Sequence, residues 1–75
     1  MEIILFGQLA EIAGHSRIEI DPQTDTDGLV ECINKKYPAM MNIRYQIALN
    51  KKVVNSNSPI IAGSTIALLP PFSGG

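Results

Sequence analysis

Glu2-Ile3-Ile4-Leu5-Phe6, one acidic residue followed by four apolar ones, sets the architecture that the rest of the chain must fit. The segment is short and rich in strand-forming residues, and its apolar side chains fall on both faces, as in a strand at the centre of a sheet. Arg17-Ile18-Glu19-Ile20 alternates polar and apolar residues before Asp21-Pro22 ends it. It is predicted to be a second strand, antiparallel to the first.

Two helices are predicted between and after these strands. Residues 8–13 have apolar residues at helical spacing and are followed by Gly14, a usual helix stop, so they should form one or two turns. The main helix is predicted over residues 27–36, and Pro38 disfavours helical geometry at the residue before it. Its candidate N-caps are Thr24, Asp25 and Thr26. Its apolar residues at helical spacing are Leu29, Val30, Ile33 and Tyr37.

Three further strands are predicted in the second half of the chain. Residues 45–49 alternate in polarity, and Asn50 tolerates the left-handed conformation needed for a tight turn into residues 51–54. A loop over residues 55–59 and a turn at Ala62-Gly63 precede the last strand, residues 65–69. This order predicts an α+β protein of the β-grasp, ubiquitin-like type, with a mixed sheet and the main helix on one of its faces. The expected division is a domain over residues 1–69 and a tail over residues 70–75.

One helix covers one face of a sheet, yet the first and last predicted strands are apolar on both faces. Ile3 and Leu5 are expected on one face of the strand and Ile4 and Phe6 on the other, and residues 66–69 of the last strand repeat this pattern. The pattern does not decide which set points inward. Either choice predicts an apolar patch beside the tail, a docking site unless loops or the short helix cover it.

Composition narrows the classes of function. With 75 residues, 45% of them apolar and 17% charged, the chain is predicted to be a single folded domain. A net charge of −1 with scattered basic residues argues against nucleic acid as a partner. The first apolar run is too short for a signal peptide or a membrane span, and the single Cys32 excludes an internal disulfide, so a cytoplasmic protein is expected.

The tail Pro70-Pro71-Phe72-Ser73-Gly74-Gly75 is the strongest indication of chemistry. The prolines favour an extended path away from the sheet, and glycines without Cβ atoms can enter a channel too narrow for side chains. Six extended residues reach roughly 20 Å. The terminal carboxylate of Gly75 is therefore the predicted reactive group.

The chain is similar to the small, sulfur-carrying subunit of molybdopterin synthase along nearly its whole length. The matching segments are Phe6-Gly7-Gln8 with Glu11 and Gly14, Ala48-Leu49-Asn50, Ala67-Leu68-Leu69-Pro70-Pro71 and Gly74-Gly75. Two segments depart from the family pattern, because Ala62-Gly63-Ser64 replaces an acidic turn and Phe72-Ser73 replaces an aliphatic residue and Thr.

The resemblance implies that an ATP-dependent, ubiquitin-activating-like enzyme adenylates Gly75 and that sulfur then converts it to a thiocarboxylate. The large catalytic subunit, joined in a heterotetramer, would use that sulfur to build the dithiolene of molybdopterin. The chain itself is expected to bind no cofactor and to catalyse nothing alone. Phe6, Leu69 and Phe72 are the expected apolar anchors at the partner interface.

Three other functions remain open at this point. The thiamine-biosynthesis sulfur carrier and ubiquitin-like protein modifiers share the Gly-Gly end, and the chain could also be a binding module whose glycines are incidental. Cys32 is expected to be a small buried apolar residue, and His15 an exposed turn residue without a second ligand at metal-binding spacing. The acidic residues form no recognisable acid–base pair, and no metal site is predicted.

Replacing Phe72 with alanine is expected to weaken partner binding more than it lowers the stability of the free domain, because Phe72 is predicted to be buried only in the complex. Paired thermal melts and affinity measurements check this. Equal losses in both would identify Phe72 as a core residue.

Overall fold

The computed structural model describes residues 1–70, and within them five strands form one sheet. The elements in chain order are β1 (Glu2–Leu5), α1 (Gln8–Ala13), β2 (Arg17–Glu19), α2 (Thr26–Lys36), a 3-10 helix (Pro38–Asn42), β3 (Gln46–Leu49), β4 (Lys52–Val54) and β5 (Ile66–Leu69). The predicted strands and helices are all present, and their ends differ from the predictions by about one residue.

The sheet has the order β2-β1-β5-β3-β4. β1 pairs parallel with β5 and antiparallel with β2, whereas β3 pairs antiparallel with both β5 and β4. The sheet is therefore mixed, and with α2 packed on it the predicted α+β, β-grasp architecture is confirmed. Because β5 lies between β1 and β3, the last strand is central.

The buried core shows which side chains of β1 and β5 point inward, a choice that the sequence left open. Ile3 and Leu5 of β1 point inward with Ile66 and Leu68 of β5, and all four are at most 2% exposed. The remaining buried apolar residues of this core are Leu9, Ile18, Ile20, Leu29, Ile33, Met40 and Ile47. The opposite faces of β1 and β5 are therefore turned away from α2.

The 3-10 helix was not predicted. It begins at Pro38, whose fixed φ suits the first position of a helix, and it buries Met40 completely in the core. A segment of five residues is too short to show helical periodicity, so the sequence pattern gave no indication of it.

Helix α2 begins one residue earlier than predicted because Asp25 is its N-cap. The Asp25 carboxylate accepts a hydrogen bond from the Gly28 N–H at 2.9 Å, and the Asn57 side chain accepts one from the Asp27 N–H at 3.0 Å. The Ser58 N–H in turn donates to the Thr26 hydroxyl at 2.9 Å. The loop before β5 is thus tied to the start of the helix.

Two neighbouring leucines of β5 test this division of the sheet into an inner and an outer face. Leu68 is fully buried, so Leu68→Ala should lower the free energy of unfolding by about 2–5 kcal/mol. Leu69 lies on the other face and is half-buried, so Leu69→Ala should cost clearly less. Urea denaturation of both variants measures the difference, and equal losses would contradict the assignment of faces.

Candidate functional site

The outer face of the sheet carries an apolar groove. In the strand register, Ile4 of β1 lies beside Ala67 of β5, Ala67 beside Ala48 of β3, and Ala48 beside Val53 of β4. We call the cavity over this row, about 310 Å³ in volume, the outer groove; it is lined by Ile4, Phe6, Ala48, Lys51, Val53, Thr65, Ala67 and Leu69. This is the apolar patch that the sequence predicted beside the tail.

The groove exists because its centre is made of small side chains. Ala48 and Ala67 lie next to each other across two strands, while Ile4 and Val53 stand at the two ends of the same row. Phe6 is 47% exposed and Val53 is 42% exposed, so the walls of the groove are open to solvent. Exposed apolar surface that is contiguous and concave is typical of a docking site for another molecule.

Helix α1 does not cover this face. Its Leu9 is fully buried, and Ala10, Ile12 and Ala13 pack against the same core. The alternative that the short helix hides the apolar patch is therefore wrong.

Gly7 and Pro70 fix the point at which the tail leaves the domain. The Phe6 N–H donates a hydrogen bond to the Leu68 carbonyl at 3.2 Å, which extends the pairing of β1 with β5 by one residue. Gly7 then has φ +57°, and a Cβ placed on it would lie 3.1 Å from Cγ of Pro70. The positive φ therefore favours glycine here, and any larger residue would also push the Pro70 ring away by a few tenths of an ångström.

The tail thus starts at the end of the outer groove that Phe6 and Leu69 form. Sequence reasoning placed Phe6 and Leu69 at the partner interface and Pro70 in the tail, but it gave no role to Gly7. The position of this glycine directly after the first strand was the feature that could have indicated one. The other predicted tail residues, Pro71, Phe72, Ser73, Gly74 and Gly75, lie outside the described residues. The roles assigned to Gly75 and Phe72 stay predictions.

The opposite end of the groove is formed by the turn between β3 and β4. Asn50 has φ +51° and Lys51 has φ +70°, whereas only Asn50 was expected to be left-handed. Positive φ at both positions gives a two-residue turn the twist that matches its strands. Asn50 also holds Thr65, since its N–H donates to the Thr65 carbonyl at 2.8 Å and its side chain accepts from the Thr65 N–H at 2.9 Å.

A larger and more polar cleft, about 670 Å³, lies elsewhere, between α2, the 3-10 helix and the β3–β4 edge. The Tyr45 hydroxyl at this cleft pairs with the Asn34 side chain at 3.3 Å, and burial raises the pKa of the Tyr45 phenol. Of the predicted site residues that the structure describes, Phe6, Leu69 and Pro70, none lines it. We therefore take the outer groove, which adjoins the tail, as the candidate site despite its smaller volume.

The remaining candidate residues lie apart from the groove. Cys32 is half-buried on α2 and packs against the core, rather than fully buried as expected, and His15 is exposed, as expected. Among residues 1–70, no three His, Cys, Asp or Glu side chains come together as a metal site would need. Within the same residues, no helix has the length and apolar character required to cross a membrane.

Comparison with known proteins agrees with this geometry. The model of the ThiS family matches residues 3–75, almost the entire sequence. The chain belongs to the ThiS family. Members of this family are ubiquitin-like sulfur carriers, which accounts for a compact β-grasp domain that ends in Gly-Gly.

Two solved structures are similar to this ThiS-family protein over nearly their full lengths. The crystal structure of SAMP1 from Haloferax volcanii is 26% identical with a TM-score of 0.76, covering 100% of this chain and 98% of that one. The crystal structure of H. volcanii small archaeal modifier protein 1 is 24% identical with a TM-score of 0.76, covering 96% and 97%. The second likeness supports the fold alone.

Replacing Gly7 with alanine tests the base of the tail, and Gly14→Ala is a matched control. Both glycines have positive φ, but nothing lies within 4 Å of a Cβ placed on Gly14. Gly14→Ala should lose about 1–2 kcal/mol of stability, because Gly14 lies in the left-handed helical region. Gly7→Ala should lose more, because its φ of 57° with ψ of −135° is a conformation that glycine adopts far more readily than alanine. Gly7→Ala should additionally displace Pro70 and weaken partner binding.

Urea denaturation and affinity for a partner enzyme measure the two effects. Equal affinities of the Gly7 and Gly14 variants would show that the contact between Gly7 and Pro70 does not position the tail.

Proposed function

We propose that this protein carries sulfur as a thiocarboxylate on Gly75 and delivers it to the molybdopterin precursor in the active site of a large synthase subunit. The observation that carries the proposal is the position of the outer groove, which ends where the tail begins. Phe6 and Leu69 line that end, and Pro70 packs on Gly7 beside them. A partner bound to the groove would receive the tail directly.

The chemistry requires separate enzymes before and after the carrier. A carboxylate repels nucleophiles, so Gly75 would first react with ATP to form an acyl-adenylate and release pyrophosphate. A sulfur donor would then displace AMP and leave a thiocarboxylate, whose charge lies largely on sulfur. Transfer of that sulfur to the pterin precursor, with hydrolysis of the acyl–sulfur bond by water, would return the carboxylate. Catalysis would be supplied by the partners, and ATP would be bound by the activating enzyme.

Docking on the groove also has an energetic reason. Ordering six flexible residues in a narrow channel costs about 1–2 kcal/mol each, or roughly 6–12 kcal/mol, less what the prolines have already restricted. Apolar contacts made by the folded domain can offset this cost without touching the reacting group. We therefore assign Phe6 and Leu69 to the partner interface, together with Phe72.

A second candidate function is supported by the comparisons. The similar structure at 26% identity is of SAMP1, a small archaeal modifier, so conjugation of Gly75 to lysines of other proteins fits the same fold. The thiamine branch is a third candidate, because the family match covers sulfur carriers without separating the two pathways. All three functions begin with activation of the same carboxylate.

Intact-mass measurement separates these candidates. After incubation with ATP, the adenylating enzyme and a sulfur donor, the carrier should gain the mass of one oxygen-to-sulfur exchange. Adducts of higher mass on other proteins would instead identify a modifier. Reconstitution with the large subunit and the pterin precursor then distinguishes the molybdopterin pathway from the thiamine pathway.

A variant with one residue added after Gly75 is the control for the end group. Its folded domain is unchanged, so it should melt like the natural protein but acquire no sulfur. Pterin sulfuration that survives the extension would show that the terminal carboxylate is not the reactive group.

A further inference from the structure

Lys51 holds a backbone conformation that its residue type disfavours. It is the second residue of the β3–β4 turn, and its φ of +70° is a value that glycine adopts without steric cost. Asn50, the first residue of the turn, tolerates positive φ, and it forms hydrogen bonds with both the carbonyl and the N–H of Thr65. The contacts within the domain therefore account for asparagine at position 50. At position 51, glycine would adopt the same backbone conformation with less strain than lysine.

The Lys51 side chain stabilises nothing that the structure describes. Among residues 1–70, its ammonium forms neither an ion pair nor a hydrogen bond, although its side chain lines the outer groove. At the opposite edge of the same face, Nη1 of Arg17 lies 3.6 Å from Oε1 of Glu2, so the positive charge of Arg17 already has an acidic partner. Within the described residues, Lys51 is the one charged side chain that lines the groove, and it has no partner.

The turn explains a positive φ at position 51 but not a lysine there, and residues held in sparsely populated backbone conformations cluster where a protein contacts other molecules. We propose that Lys51 is a specificity-determining contact whose ammonium pairs with a carboxylate of the enzyme that adenylates Gly75, when that enzyme docks on the outer groove. The matching surface has an apolar side chain that fills the space over Ala48 and Ala67, and an acidic side chain that faces the turn.

The adenylating enzyme is the occupant because a free carboxylate must be activated before it can carry sulfur or be conjugated. The inference thus rests on one step of the proposed function, the adenylation of Gly75, and not on the pathway that follows. Lys51 lies at the end of the groove away from the tail, beside Thr65, which is roughly 16 Å along β5 from Pro70. A contact this far from the reacting carboxylate changes binding and leaves the chemical step unaltered.

Three variants test the proposal in an adenylation assay with the purified adenylating enzyme of the same organism, ATP and this protein as substrate. Lys51→Gln keeps a long polar side chain and the strain but removes the charge, and it should raise KM about three- to tenfold with kcat unchanged. Lys51→Gly should raise KM similarly and raise the melting temperature of the free domain by a few degrees, because the strain is relieved. Lys52→Gln is the control, since Lys52 does not line the groove, and its KM should stay within about twofold of the natural value.

The outcomes separate this inference from the proposed function. If the natural protein is adenylated and Lys51→Gln has an unchanged KM, the role of Lys51 is wrong and the proposed function stands. A lower melting temperature for Lys51→Gly would overturn the argument from strain, and with it the proposal. Failure of the natural protein to be adenylated would overturn the proposed function and this inference together. Restoration of KM for Lys51→Glu by an acidic-to-basic substitution in the enzyme would identify the paired carboxylate.

Discussion

The parallel pairing of β1 with β5 is the constraint on which the rest of the molecule depends. It joins the first strand to the last, and both strands are apolar on both faces, while one long helix is available to cover them. The face with Ile3, Leu5, Ile66 and Leu68 becomes the core, and the other face remains in contact with water. Folding thus produces a stable interior and an uncovered apolar surface from the same four-residue strands.

The two faces of these strands differ in how their side chains are packed. On the inner face, large side chains fill the space beneath α2, so shortening one of them leaves a cavity. On the outer face, Ala48 and Ala67 leave the space unfilled, which gives a partner a place for its own side chain. Because the tail starts at the Phe6–Leu69 end of this groove, the proposed function makes recognition of the domain and presentation of Gly75 depend on one surface.

Sequence reasoning predicted the fold and part of the candidate site, and its failures have physical causes. Local signals such as Gly14 and the Pro70-Pro71 pair located element ends and the tail, because those residues act through their own backbone geometry. Which side chains of β1 point into the core was not predictable. Ile3 and Ile4 are equally apolar, and the face that becomes buried depends on how the whole sheet packs. The positive φ of Lys51 was missed because its residue type argues against it, and the role of Gly7 required the position of Pro70.

The central place of β5 has a consequence for synthesis. β5 follows the other four strands in the chain, yet it separates β1 from β3 in the sheet, so the sheet cannot close until residues 66–69 have left the ribosome. A nascent chain that stops before this strand lacks the groove and the Gly-Gly end at once. Gly74 and Gly75 are therefore synthesised only after every strand of the described sheet has been made.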